Sequence, residues 1–403
     1  MIQEQEQPHQ VKSGGLNGLR QPNLALLHGG MLLSGFGTVF LGPVLPTLAA
    51  NAQVSDTGSG LFFTAQFIGA FFGGVTTSRR LWWSLLRGSG AAVVGFLLLS
   101  LCTRQQAPAL WDAAALLPLG FGVGQMLTSI NLLAARRFAA QRGAALSLVN
   151  FSWSLGAVLA PFALGSLLPT TALHMLLLVS AGLFAVAFLA AAVNMRLGTP
   201  ESSAVVQAAL ATGKLPMRTF VYFAALLLLY GGVETSLSGW VTTFGTRYGS
   251  HALQSSALGE AALWIGLTSG RALTPVLLRF VKERMLLQAT LAAAAVLTVT
   301  LSLSHGGPAI MLVSALMGFS LAPWFPLVLS GMLGEGAAAG QVGTIIAVSG
   351  IGAATLPLLV GAVSRSAGSL RTAMLVPLAG LLLLLALSFR QAQGVVTEPA
   401  ESV

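Results

Sequence analysis

The sequence predicts an all-α membrane protein: twelve transmembrane helices in two pseudo-symmetric six-helix bundles, with both termini in the cytoplasm. Three observations predict it. The 403-residue chain is 55% hydrophobic and only 8% charged, and its apolar runs are each about twenty residues or longer, enough to cross about 30 Å of hydrocarbon as helix. Its basic residues crowd into every second loop. Its two halves repeat one another at a nearly constant offset.

The apolar runs come first. Lipid offers no water to the backbone, so a spanning segment must be a helix or belong to a closed barrel. Continuous rather than alternating hydrophobicity excludes the barrel. The expected spans are 23–50, 59–79, 86–105, 108–135, 144–168, 171–195, 217–246, 255–280, 285–304, 308–333, 341–364 and 371–389. Residues 1–22 and 391–403 read as disordered cytoplasmic tails. The polar stretch 196–216 reads as a cytoplasmic linker between an N-terminal bundle (23–195) and a C-terminal one (217–390).

Charge sets the threading. Fifteen basic residues fall on one side: Lys12, Arg20, Arg79, Arg80, Arg87, Arg136, Arg137, Arg142, Arg196, Lys214, Arg218, Arg279, Lys282, Arg284 and Arg390. Four fall on the other, Arg104, Arg247, Arg365 and Arg371, and Arg271 lies inside a span. That bias puts the richer side in the cytoplasm. The net charge of +9 is thereby explained as anchoring against anionic lipid, and nucleic acid is not an expected partner.

The internal repeat gives the third observation. Gly35 matches Gly231 at an offset of 196, and Phe67-Ile68-Gly69 matches Trp264-Ile265-Gly266 at 197. Gly120-Phe121 matches Gly318-Phe319 at 198. Leu155-Gly156-Ala157 with Pro161 matches Ile351-Gly352-Ala353 with Pro357 at 196. Parallel halves with a midplane site between them are the architecture of a secondary transporter. Small residues four apart, such as Gly69 with Gly73, let membrane helices approach closely. Intramembrane prolines, Pro43, Pro46, Pro161, Pro323, Pro326 and Pro357, free backbone carbonyls and permit kinks.

Two ionisable groups lie deep in expected spans, Glu234 and Arg271. A lone charge at midbilayer costs about 2.5–3.5 kcal/mol on the insertion scale, so the two are expected near each other. They read either as a static pair bracing the C-terminal bundle or as a pair whose protonation biases alternating access. Asp56 and Asp112 are expected in outer loops, solvated, and Glu260 at an outer edge facing water. A polar solute needs hydrogen-bonding groups beside aromatic faces. The candidates are Glu234, Trp264, Asn131, Gln66, Gln125, Asn150, Trp153, Ser238, Trp240 and Trp324. A buried amide has a second reading, as an interhelical bond worth about 0.6 kcal/mol. Trp82, Trp83 and Trp111 fall at span ends and read as interface anchors.

No phosphate-binding glycine loop, nucleophile elbow or metal-ligand spacing is present, so neither an enzyme nor a cofactor or metal is expected. One cysteine, Cys102, precludes an internal disulfide.

Four stretches resemble the major facilitator superfamily, and within it the fucose–galactose–glucose:proton symporter branch with its bacterial glucose/mannose symporters. They are GFGTVFLGPVLPTLA leading into LFFTAQFIGAFFGG, then YGGVETSLSGW, LWIGLTSGR and GFSLAPWFP. The resemblance implies a monomer in the bacterial cytoplasmic (inner) membrane. It implies secondary active transport of a small neutral polar solute, a hexose-type sugar before others, by proton symport. The alternative is proton-coupled efflux of apolar or amphipathic molecules. By the same resemblance Arg79 and Arg80 belong to a cytoplasmic gate. The chain departs from the pattern at Ser78 and Leu127, where acids are usual, and its first span lacks an acid. These departures weigh against proton coupling through the N-terminal half.

Overall fold

The computed structural model describes residues 24–77, 80–137, 142–197, 214–249, 252–337 and 339–390. Both expected tails, most of the expected linker and Arg79 lie outside the described residues. Among the described residues all regular structure is helical. The order is α1 (Leu24–Val39), α2 (Leu41–Asn51), α3 (Asp56–Val75), α4 (Leu81–Gln105), α5 (Ala109–Arg137), α6 (Arg142–Leu167), α7 (Leu173–Leu197), α8 (Met217–Tyr248), α9 (Leu253–Leu277), α10 (Glu283–Leu303), α11 (Gly307–Leu321), α12 (Trp324–Gly334), α13 (Ala339–Ala367), α14 (Leu370–Ala373) and α15 (Leu375–Arg390).

Ten stretches are long and apolar enough to cross a membrane, and α1 with α2 makes an eleventh if that bent pair counts as one span. The protein is therefore a multi-pass membrane protein. The remaining long helix, α9, is 25 residues, or about 37 Å at 1.5 Å per residue. It is not among the stretches that qualify, because Glu260, Arg271 and several Ser and Thr dilute its hydrophobicity.

Expected span 23–50 is not one straight helix. It breaks at Phe40, and α1 and α2 meet at 42°. Proline is the cause: Pro43 and Pro46 have no N–H for the carbonyls of Val39 and Gly42, so the ladder fails there. Just before the break, the side-chain amide of Gln66 on α3 donates to the carbonyls of Gly37 (3.1 Å) and Thr38 (3.0 Å). Pro323 and Pro326 likewise interrupt expected span 308–333 between α11 and α12.

Within the N-terminal half, α5 packs on α3 and α4, α7 on α4, and α1 on α5 and α6. Within the C-terminal half, α11 packs on α9 and α10, and α8 on α9, α13 and α15. The halves meet where α3 lies on α13, α6 on α9, and α2 on α8.

The repeated glycines make these packings possible. A methyl on Gly35 would overlap the carbonyl of Trp153, and one on Gly156 the carbonyl of Leu32. In the second half Gly231 meets Ser349 and Gly352 meets Leu228. Gly69 and Gly120 press on Leu117 and Gln66, and Gly266 and Gly318 press on Ala315 and Leu263. Donor and target both shift by the same 196–198 residues. The sequence repeat is thus a repeat of backbone-to-backbone contacts, α1 on α6 as α8 on α13, and α3 on α5 as α9 on α11. Lipid exerts no hydrophobic drive to pull helices together, so such close approach supplies the packing energy.

Gly352→Ala should therefore destabilise the protein by about 1–3 kcal/mol, the usual cost of forced overpacking. Gly182→Ala, where a methyl meets nothing within 4 Å, should be neutral or slightly stabilising. Thermal unfolding of both variants in detergent, side by side, measures the contrast.

Candidate functional site

Five of the sequence-selected groups, Glu234, Arg271, Trp153, Trp264 and Trp324, gather where the halves meet. Glu234 on α8 and Arg271 on α9 are both half-buried, and the charge of Arg271 acts on the Glu234 carboxylate. The two are linked through a residue that sequence reasoning missed. The Tyr230 hydroxyl lies beside both the carboxylate and the guanidinium and donates to the carbonyl of Leu321 at 3.2 Å. That carbonyl is available because α11 ends at Leu321, just before the prolines. Tyr230 precedes Glu234 by four residues, one helical turn on the same face. That spacing was the available signal.

Trp324 stacks on Tyr230 with ring centroids 5.8 Å apart and planes at 10°. Arg271 reaches across to the N-terminal half: its guanidinium sits 6.0 Å from the Trp153 ring centroid and donates to the Ser154 hydroxyl at 3.4 Å. Trp153 meets Trp264 edge-on at 5.6 Å. The indole nitrogens of Trp153 and Trp324 and the Nε of Arg271 have no protein partner. Unspent donors beside aromatic faces are what a polyhydroxylated solute requires.

Asn131 and Asn150 form their own half-buried pair between α5 and α6, with Asn150 Nδ2 donating to Asn131 Oδ1 at 3.1 Å. Each amide also donates back to a carbonyl four residues earlier on its helix.

Four other selected residues lie elsewhere. Gln66 donates beside the α1–α2 break. Gln125 is sealed inside the N-terminal bundle near Gly73 and Gly88, with neither amide atom partnered. The Trp240 indole donates to the carbonyl of Pro357 at 3.1 Å, strutting α8 to α13. The Ser238 hydroxyl donates to the backbone carbonyl of Glu234 at 2.8 Å. Arg80 is exposed at the start of α4.

Three acids differ from expectation. Asp56 opens α3 instead of lying in a loop, and it receives Arg247 of α8 in a two-pronged contact, one prong at 2.7 Å, together with the Ser364 hydroxyl of α13. It thus ties the two halves together at one end of the molecule. Asp112 lies in the first turn of α5 and is buried, its Oδ1 without a partner. Glu260 does not face water: it is 1% exposed and accepts from the Thr242 hydroxyl at 2.7 Å. Asp56 and Asp112 lie in polar first turns, which hydropathy reads as loop, whereas Glu260 lies well inside α9.

Around Asp56 the halves interlock. Thr64 on α3 donates to the carbonyl of Ala354 on α13 at 2.6 Å, Gly361 lies on the carbonyl of Asp56, and Gly239 lies on the Phe63 ring. A cleft of about 340 Å³ enters at this end between α2 and α8, lined by Leu45, Pro46, Ala49, Asp56, Thr243 and Arg247. At the other end of α3 the packing is looser: a methyl on Gly74 would meet Ala347 at 4.0 Å, ordinary contact without overlap.

A family model described as Major Facilitator Superfamily matches residues 27–334. The chain belongs to the major facilitator superfamily. No curated protein sequence matches it. Among solved structures it is similar to a variant of the E. coli fucose:proton symporter FucP, at 17% identity and a TM-score of 0.60, over 92% of this chain and 98% of that one. It is also similar to the nucleoside transporter NupG, at 14% identity and a TM-score of 0.67, over 93% and 100%. At such identities the likeness shows the fold. Superfamily membership makes this protein a transporter rather than an enzyme.

The Asp56–Arg247 contact is partly open to water, its side chains 14% and 40% exposed. Pairs of that kind are worth about 0–1 kcal/mol, so the latch biases rather than locks. Asp56→Ala and Arg247→Ala should each raise the open population at this end by no more than about fivefold. The exchange Asp56→Arg with Arg247→Asp should restore it. Distances between spin labels on α2 and α8 measure the shift.

Proposed function

We propose that this transporter carries a small neutral polar solute, a hexose-type sugar before others, by alternating access coupled to protons. The observation that carries the reading is the cluster of Glu234, Tyr230 and Arg271 beside Trp153 and Trp324, at the junction of the two halves. Carboxylate, hydroxyl and guanidinium offer acceptors and donors for sugar hydroxyls, and the indole rings offer faces for the C–H surface of a pyranose. The printed names of FucP and NupG, a fucose:proton symporter and a nucleoside transporter, support a polyhydroxylated solute.

In this reading α9 is the twelfth span, each half is a six-helix bundle (23–195 and 217–390), and both termini face the cytoplasm of a bacterium across its inner membrane. The Asp56 end then faces outward, and the arrangement is closed outside. Arg79 and Arg80 line the cytoplasmic gate, Asn131 and Asn150 line the path from that side, and the transporter acts as a monomer. Coupling runs through Glu234. With its charge in place it draws on Arg271; protonated, it releases Arg271 to Ser154 and Trp153 of the opposite half, which ties the solute cluster to the proton.

Labelled glucose, mannose, fucose and a nucleoside, offered to proteoliposomes with and without an acid-outside pH gradient, test the proposal. Saturable accumulation of a hexose that collapses with the gradient is expected. Glu234→Gln should cut accumulation by about tenfold or more, the scale of a lost hydrogen bond to a charged group. Unchanged accumulation in that variant removes Glu234 as the coupling acid. Extrusion of lipophilic cations without hexose uptake favours efflux.

A further inference from the structure

Glu260 is a second acid at the junction of the halves, and the cluster around Glu234 does not use it. Its carboxylate lies against Gly42, on the first turn of α2 after the break in the first span. A methyl on Gly42 would overlap both carboxylate oxygens and the carbon that bears them. Thr242 of α8 supplies the hydrogen bond to Oε2, and the Trp264 indole lies one turn along α9. A side chain from the C-terminal half is therefore seated in a notch of the N-terminal half that exists only because residue 42 is glycine.

No cation shares this seat. Helix α2 carries no titratable residue, and neither does α11. The described part of α6 that faces it, from Asn150 to Leu167, has none either. On α8 the charged or titratable groups are Arg218, Tyr222, Tyr230, Glu234, Arg247 and Tyr248, and on α9 the other one is Arg271. None of these acts on Glu260; its interacting side chains are Thr242 and Trp264. An ionised carboxylate shut away from water with only neutral neighbours, the Thr242 hydroxyl and the Trp264 indole, is strongly disfavoured, whereas the neutral acid needs only ordinary hydrogen bonding.

The seat lies just beneath the cleft at the Asp56 end. Leu45 and Pro46 line that cleft on α2 and Thr243 lines it on α8, next in register to Gly42 and Thr242. Separation of α2 from α8 and α9 would extend this water-filled space to the carboxyl.

We propose that Glu260 is a proton-binding site whose occupancy is tied to closure of the Asp56 end: protonated Glu260 seats against Gly42 and the end closes, and ionised Glu260 requires water and the end opens. The closed form holds one proton more than the open form, so raising the pH favours opening. This rests on the proton-coupled reading above and adds the step at which the proton is taken up. The stripe Glu260, Trp264, Leu267, Arg271 follows one face of α9, joining the seat through Trp264 and Trp153 to the solute cluster.

The test needs no solute. Ser59 is 3% exposed in the closed arrangement and lies beside the cleft. In a Cys102→Ala background, Ser59→Cys is exposed to a membrane-impermeant maleimide in proteoliposomes between pH 5.5 and 8.5, with rates corrected for thiolate fraction using a free thiol. The corrected rate should rise with pH by about tenfold, within the usual range of coupling between sites. Adding Glu260→Gln should hold the rate low at every pH. Adding Gly42→Ala, which denies the carboxyl its seat, should hold it high at every pH. Adding Glu234→Gln should preserve the pH response. The proposal is overturned if Glu260→Gln keeps the wild-type response, if Gly42→Ala labels as wild type does, or if Glu234→Gln is the variant that abolishes the response. Hexose accumulation in the same proteoliposomes is scored separately: a pH-responsive reporter without acid-driven uptake sinks the solute reading and leaves the Glu260 site standing.

Discussion

The break in the first membrane segment is the constraint on which the centre of the molecule depends. Two prolines three residues apart deprive Val39 and Gly42 carbonyls of their donors, and in lipid such groups have no water to turn to. The chain bends at Phe40, and the Gln66 amide of α3 satisfies the Gly37 and Thr38 carbonyls beside the bend. The bend lays α2 across α8 and places Gly42 where Glu260 can enter. A straight first helix would leave no notch there, and the contact between the halves at the Asp56 end would lose its deepest element.

Several unlike interactions hold that end shut, and their magnitudes differ. The Asp56–Arg247 ion pair is partly hydrated, and its worth is about that of a surface pair. The seat of Glu260 and the approach of Gly361 to the Asp56 carbonyl are buried, and the Thr64–Ala354 hydrogen bond is half-buried. Interactions of this kind are lost together when the halves part, because each depends on the backbones being in contact. Cooperative closure follows from geometry rather than from any one strong bond. The two halves themselves are held by glycine-mediated backbone contacts repeated at matching positions, which suits bundles that must move as units.

The solute cluster shows the same economy. Tyr230 is fixed between a helix-end carbonyl and the Trp324 ring, and from there it meets Glu234 and Arg271. Arg271 faces both ways, toward Glu234 in its own half and toward Ser154 and Trp153 in the other. A guanidinium shared between halves makes their separation sensitive to the state of one carboxylate.

Much of this was legible in the residues. Apolar length, glycine spacing and the 196–198 offset were enough to predict helices and paired halves, because lipid imposes the same backbone rule on every span and close helix packing demands small residues at set positions. Glu234, Arg271 and the neighbouring Trp153 were also legible, since a charge or a lone indole deep in a span is conspicuous. Their partners were not. Tyr230 and Ser154 look like ordinary residues until α8, α9 and α6 are brought together. Gln66, Gln125 and Trp240 carry the same polar groups as solute ligands, and only the fold shows them turned toward carbonyls or packed inside one bundle. Asp56 sits in the first turn of α3 and Glu260 further inside α9, and in neither place can hydropathy tell a buried acid from a solvated one. The sequence by itself determined that the chain is a set of apolar helical rods and which faces could touch, because that follows from solvent and local chemistry. Tertiary structure alone decided which polar groups meet across the halves, because that depends on the bend at Phe40 and on distances set by residues far apart in the chain.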